Sequence, residues 1–183
     1  IGAKINRILL THPHFDHVGS LDALVASLPN VELLLTAQTS QFLSGKMCPP
    51  PNETQIGKSF GYKKCDAKAT RTIAPKENVG SLRVVPSPGH TPDHIALFDD
   101  RDSTLIAGDA FQTQGGVAVA GTFAWRFPLP AISTRDQPTA IESAKRLLSL
   151  SPSLLATGHG PVIENPIQKM EEAICKADAL LRR

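Results

Sequence analysis

The stretch KINRILLTHPHFDHVGS, residues 4–20, constrains the fold more than any other part of the chain. An apolar run ends at Leu10, and within six positions the chain then places three of its six histidines, His12, His14 and His17, together with Asp16. Where a strand opens into an extended loop, residues two apart project to the same side, so His12 and His14 can address one point. Asp16 and His17 come where the chain turns toward a helix, and they address a neighbouring point. A fold that uses such a loop has to bring further ligands to it from other strand ends.

The rest of the sequence contains them. SPGHTPDH places His90 after the run LRVVP, IAGDA places Asp109 at the end of a strand, and ATGHGP places His159 at the end of another. Each lies beside a glycine, where the backbone can turn tightly and expose a side chain at a sheet edge. These motifs use five of the six histidines. The sixth, His94, lies four residues after His90 and reads either as a support for a ligand or as a satisfied histidine at a strand start.

Strands and helices alternate around the motifs, an α/β pattern. SLDALVASL (20–28) reads as a helix with Ser20 as N-cap and Pro29 just past its end, VELLL (31–35) as a strand, and AQTSQFL as a short helix. Residues 45–66, with three consecutive prolines, read as a long surface loop, either a lid or a variable connection. TRTIA, LRVVPS, HIALFDD and TLIAGD read as strands. STRDQPTAIESAKRLLSL (133–150) reads as one amphipathic helix with Ala140, Ala144, Leu147 and Leu148 on its apolar face. LLATGHG is a strand and turn, and a closing helix has Pro166 near its first turn. The length of 183 residues suits a single domain, 1–183.

Composition narrows the function classes. With 41% hydrophobic and 20% charged residues and a formal charge of +2, no strong field draws the chain toward nucleic acid or an anionic membrane. No apolar run approaches the roughly 18 residues of a transmembrane helix. Cys48, Cys65 and Cys175 are odd in number and share no metal-site spacing, which argues against a disulfide framework and for a reducing compartment, the cytoplasm. Lys58, Lys63, Lys64, Lys68 and Arg71 read as a solvated basic loop, with an anionic cosubstrate as the functional alternative. The chain opens on Ile1, so an upstream segment is expected.

Imidazole and carboxylate suit zinc, iron or manganese, and five histidines with two aspartates exceed the needs of one tetrahedral site. Two ions sharing a carboxylate is the economical reading. A structural zinc site would be cysteine-rich and closed.

THPHFDHVG, PGHTPDH, GD and GHG, in that order across residues 11–160, resemble the ordered motifs of the metallo-β-lactamase superfamily of metallohydrolases. The resemblance implies a four-layer αββα sandwich of two similar halves. It places His12, His14 and His90 on a first metal, Asp16, His17 and His159 on a second, and Asp109 as the bridge. Family members have several strands before the first histidine motif, so it also implies a chain lacking part of its N-terminal half. The implied mechanism uses two divalent ions, zinc first with manganese or iron as alternatives, and a bridging hydroxide. Asp16 or Asp109 shuttles the proton, Asp109 being chiefly the bridge.

Within the family, Asp109 disfavours the true β-lactamases, which generally replace the bridging carboxylate. Residues 110–158 leave no room for the inserted domain of the RNA-processing members. PGHTPDH resembles the glyoxalase II branch, but GDAFQTQGG lacks its cysteine-glycine-arginine signature. The tyrosine that quorum-quenching lactonases place after the aspartate is absent: Phe111 is the nearest aromatic, and Tyr62 is the one tyrosine in the chain. His14 stands where flavodiiron proteins carry glutamate.

The expectation is a binuclear hydrolase of a small ester, thioester or lactone, with a small-molecule substrate and neither nucleic acid nor membrane as partner. The alternatives are a mononuclear iron persulfide dioxygenase using His12, His90 and Asp109, and a catalytically silent binding domain of the same fold. In GVAVAGTFAWRFPLP (116–130), Phe123, Trp125 and Phe127 read as an apolar acyl pocket with Arg126 holding a carboxylate. The competing reading is a packed loop with a snorkelling arginine.

Overall fold

In the computed structural model, which describes residues 4–46 and 62–182, the chain divides into two units, Ile1–Ala74 and Pro75–Arg183. Residues 47–61 lie outside the described residues, and with them Cys48, Lys58 and most of the expected loop over 45–66, including its reading as a lid.

The first unit is a parallel sheet with helical crossovers. Its strands are β1 (Arg7–Leu9), β2 (Glu32–Leu35) and β3 (Arg71–Thr72), ordered β1-β2-β3, with Ile8 opposite Leu33 and Leu34 opposite Arg71. A parallel pair needs a crossover, and between β1 and β2 it is made by α1 (Phe15–Val18) and α2 (Leu21–Ser27). Val18 and Leu21 from these helices, Leu33 and Leu35 from β2, and Leu43 from α3 (Ala37–Leu43) form one core with Leu10 and Cys65. Leu34, which points away from that core, is also fully buried, so β2 is apolar on both faces, as its unbroken leucine run demands. α3 begins where the Thr36 hydroxyl accepts the Thr39 N–H at 3.1 Å. Ser20 occupies the N-cap of α2, but its side chain makes no capping bond.

The second unit is built on a six-stranded sheet. Its elements are β4 (Asn78–Val79), β5 (Leu82–Pro86), β6 (Ile95–Asp99), β7 (Thr104–Ile106), β8 (Phe111–Gln112), β9 (Ala118–Val119), α4 (Leu129–Ser133), α5 (Gln137–Leu148), β10 (Leu154–Ala156), β11 (Ile163–Glu164) and α6 (Ile167–Leu181). The sheet runs β11-β10-β7-β6-β5-β4, with β8 and β9 pairing separately. β10 lies parallel to β7, and the crossover between them contains α4 and α5. Ala140, Ile141, Ala144 and Leu147 of α5 and Met170, Ala173, Ile174 and Ala177 of α6 bury one face against Ala96, Phe98, Leu105 and Leu155 of the sheet.

The helix expected over 133–150 is α5, which begins at Gln137 rather than at residue 133; Thr134, Arg135 and Asp136 separate it from α4, which ends at Ser133. Pro138 is the reason. In a continuous helix its ring would collide with the carbonyl of Thr134 four residues back, whereas in the first turn its missing N–H costs nothing. Asp136 then caps α5: its carboxylate accepts the Thr139 N–H at 3.0 Å and the Thr139 hydroxyl at 2.8 Å.

At the far end of β6, Asp99 accepts hydrogen bonds from the Arg101 side chain, the Arg101 N–H and Ser81. Chiefly through the Arg101 side chain, these hold its carboxyl at about 2, below the ordinary 3.8. A depressed native pKa stabilises the fold above the unfolded-state value and loses that contribution as pH falls through the native one. The Asp99 contribution is therefore expected to disappear between about pH 4 and about pH 2. Urea midpoints across that window should fall more steeply in the wild type than in Asp99→Asn; equal slopes would show that the pair contributes nothing. Among the described residues, no helix is long and apolar enough to cross a membrane.

Candidate metal centre

Each unit contributes its own set of ligand-type side chains at strand ends. In the first unit, Leu10 still donates its N–H to Leu34, after which the chain leaves the sheet. His14 sits in extended conformation at the N-cap of α1, and its carbonyl accepts the N–H groups of His17 and Val18. That turn returns His17 toward His12. The His12 ring lies 4.8 Å from that of His14, edge-on, and 4.1 Å from that of His17, centroid to centroid. His12 and His14 are buried, His17 is half-buried and Asp16 is exposed, with Asp16 Oδ2 3.8 Å from His17 Nε2. The Thr11 hydroxyl lies 3.0 Å from His12 Nδ1. Tyr62 forms a β-bridge with His14, and its ring stands edge-on to the imidazole at 5.1 Å while stacking on Phe42 at 4.7 Å.

In the second unit the parallel strands β7 and β10 end side by side. Ala107 donates to Ala156 and Gly158 donates to Gly108, so the loops carrying Asp109 and His159 leave the sheet together. His90 arrives from β5 through Gly89, whose φ of +131° and closeness to the backbone of Ala140 admit no side chain. Asp109 Oδ2 lies 3.4 Å from His90 Nε2 and 3.3 Å from His159 Nε2. The side chains of His90 and Asp109 are 0% and 4% exposed. A carboxylate this buried is costly without a compensating positive charge, and an imidazole on either side of one of its oxygens is a donor set that a cation would satisfy. The donors fit zinc, iron or manganese.

Around these ligand-type side chains stand supporting groups. His94 is buried, and both its ring nitrogens are engaged: Nε2 accepts the Asp109 N–H at 3.0 Å, so the proton is on Nδ1 and goes to Ser87 Oγ at 2.7 Å. The two readings of His94 therefore meet in one residue, a satisfied histidine that also holds the backbone of Asp109. The carbonyl of His159 accepts the Thr113 N–H at 2.9 Å and the Thr157 hydroxyl at 2.9 Å, while the Thr113 hydroxyl donates to the Pro161 carbonyl at 2.7 Å. Ser87, Thr113 and Thr157 carry no sequence signal for this role; their partners are set by how β8, β10 and the β5 loop pack.

Of the residues assigned to substrate, Phe127 is half-buried with its ring 4.8 Å from that of His159. Phe123 and Trp125 are exposed, at 57% and 88%. Arg126 is exposed and lays its side-chain stem over Gly115.

Histidine and aspartate side chains gathered at strand ends are a donor set suited to a divalent metal. The family model described as the metallo-β-lactamase superfamily matches residues 1–159, and the chain belongs to that superfamily and has its fold. It is 42% identical over 178 residues to the uncharacterised protein YobT of Bacillus subtilis, covering 97% of this chain and 76% of that one. It is 30% identical over 174 residues to the probable metallo-hydrolase YflN of the same organism, covering 87% of this chain and 66% of the relative. Among solved structures, it resembles TTHA1623 in a di-iron-bound form, with 26% identity and a TM-score of 0.65 over 91% of this chain and 76% of that one.

Proposed function

We propose that the protein is a binuclear metal-dependent hydrolase of a small ester, thioester or lactone. The observation that carries this reading is Asp109, one buried carboxylate whose Oδ2 faces the Nε2 atoms of both His90 and His159. In the proposal, the seven ligand-type side chains would hold two divalent ions. His12, His14 and His90 hold one, Asp16, His17 and His159 hold the other, and Asp109 is shared. Zinc is the ion assigned; the similarity to a di-iron protein makes iron the alternative. When bound, such a pair supplies hydroxide near neutral pH and polarises the substrate oxygen.

The chain's own side chains do the rest. Asp16, the exposed carboxylate of the set, exchanges the proton with solvent, and Asp109 serves as the bridge. Phe127, beside His159, offers an apolar wall to the acyl part of a small-molecule substrate and keeps water from that side. Arg126 is exposed and available to a substrate carboxylate. The cytoplasm is the compartment assigned, from the odd cysteine count and from a thiol at Cys65 that is buried and unbridged.

Metal content per chain, measured by inductively coupled plasma mass spectrometry beside a panel of esters, thioesters and lactones, tests the proposal. The expected result is close to two ions, falling toward one in His159→Ala, with hydrolysis lost to a chelator and restored by zinc. A single iron insensitive to His159→Ala would assign the dioxygenase chemistry instead, and a chain that takes up no metal would be a silent binding domain.

A further inference from the structure

The loop carrying His90 is clamped by the junction of α4 and α5. The Arg135 N–H donates to the carbonyls of Gly89 and His90, the Asp136 N–H donates to Gly89 at 2.9 Å, and the Ser143 hydroxyl donates to Pro88 at 2.6 Å. Gly89 permits this approach, because a Cβ there would stand 2.3 Å from the Ala140 nitrogen. Against the clamp, Thr134 Oγ1 lies 2.9 Å from His90 Nδ1.

A hydroxyl has one proton to give, and Thr134 gives its own to the Pro130 carbonyl, four residues back at the start of α4. Toward His90 that oxygen can therefore only accept, which places the imidazole proton on Nδ1. A neutral imidazole has a single N–H, so Nε2 presents its lone pair, and Nε2 is the nitrogen that faces Asp109 Oδ2 at 3.4 Å. We propose that Thr134 is the positioning residue that sets the tautomer of His90 and keeps Nε2 unprotonated as the metal-ligating nitrogen. The consequence for metal affinity rests on the metal centre proposed above; the tautomer does not.

The competing state is well defined. With its proton on Nε2, His90 would donate to the Asp109 carboxylate, and that proton would have to leave before a cation could take its place. The chain from His90 Nδ1–H to the Thr134 hydroxyl to the Pro130 carbonyl is polarised in one direction and opposes that state. The clamp itself is mostly backbone and does not need the Thr134 side chain. Its hydroxyl can therefore be removed with the loop still in place.

The test uses 15N NMR of the histidine side chains in the metal-free chain of residues 1–183 at about pH 8, above the ordinary imidazole pKa, with His90 assigned by its loss in His90→Gln. Wild-type His90 is expected to carry its proton on Nδ1, with Nε2 showing the shift of a bare ring nitrogen. In Thr134→Val the proton is expected to move to Nε2, and zinc affinity at one site, read by competition with a chromophoric chelator, to fall about 10–100-fold. Thr134→Ser is expected to restore both. A wild-type chain with its proton on Nε2 overturns the proposal without recourse to any variant, as does a Thr134→Val protein that keeps both the Nδ1 proton and the zinc affinity. Should the wild type bind no zinc, the metal-centre reading fails, while the tautomer measurement still decides the role of Thr134.

Discussion

Asp109→Ala is expected to reduce hydrolysis to the level of a metal-stripped control and to cut metal content from about two ions per chain to one or fewer. Asp109 is the residue whose carboxylate meets both His90 and His159, so truncation leaves two imidazoles with no shared anion. Residues that merely orient a ligand cost about 10–100-fold when removed, so loss of the carboxylate that the proposed centre shares should cost at least about 100-fold in kcat/KM. The backbone of Asp109 keeps its bond to His94 in any side-chain variant, so the strand end should hold and the variant should fold. Metal-free Asp109→Ala should in fact be no less stable than the metal-free wild type, because it no longer buries a carboxylate. Asp109→Asn separates shape from charge: if it retained both ions and full turnover, the bridging role assigned to this side chain would be wrong.

Gly89→Ala is expected to be one of the most destabilising single methyls in the second unit. Its φ of +131° is closed to residues with a side chain, and the added Cβ would lie 2.3 Å from the nitrogen, 2.4 Å from the Cα and 2.6 Å from the Cβ of Ala140. Two of these are helix backbone atoms that cannot swing aside. Gly116 supplies the control, since its φ of +126° is equally demanding while a Cβ there meets nothing within 4 Å. Gly116→Ala should therefore cost about 1–3 kcal/mol of backbone strain, and Gly89→Ala that amount plus overpacking of a further ~1–3 kcal/mol. Against a typical total of about 5–15 kcal/mol, the second variant forfeits a large share of its stability, and with it the placement of His90. Urea unfolding of both variants measures the difference. Equal midpoints would mean that the loop yields and that the close approach to α5 is not a constraint.

Much of the architecture was legible because it rests on local chemistry. AQTSQFL forms α3 over those seven residues, and the runs LRVVP and IALFD are strands, because capping and β-branched or leucine-rich runs are written in neighbouring positions. β4, β8, β9 and β11 escaped notice since two residues hold no periodicity to read. The later start of α5 was set by Pro138 and by the Asp136 cap, and its apolar face lies wholly after that proline.

The ligand-type residues belong to the first category. Imidazole and carboxylate groups at strand ends beside glycines declare what they can bind, whatever surrounds them, and the sequence by itself determined the α/β class and the candidates His12, His14, Asp16, His17, His90, Asp109 and His159. Which oxygen meets which nitrogen was decided only by tertiary structure. Asp109 stands beside His159 because β7 and β10 pair in parallel register, and His90 directs Nε2 toward it because Thr134, 44 residues further along the chain, accepts the proton of Nδ1. Donor chemistry is a property of one side chain, whereas tautomer and shared contacts are properties of neighbours through space, and packing brings those neighbours from distant parts of the chain.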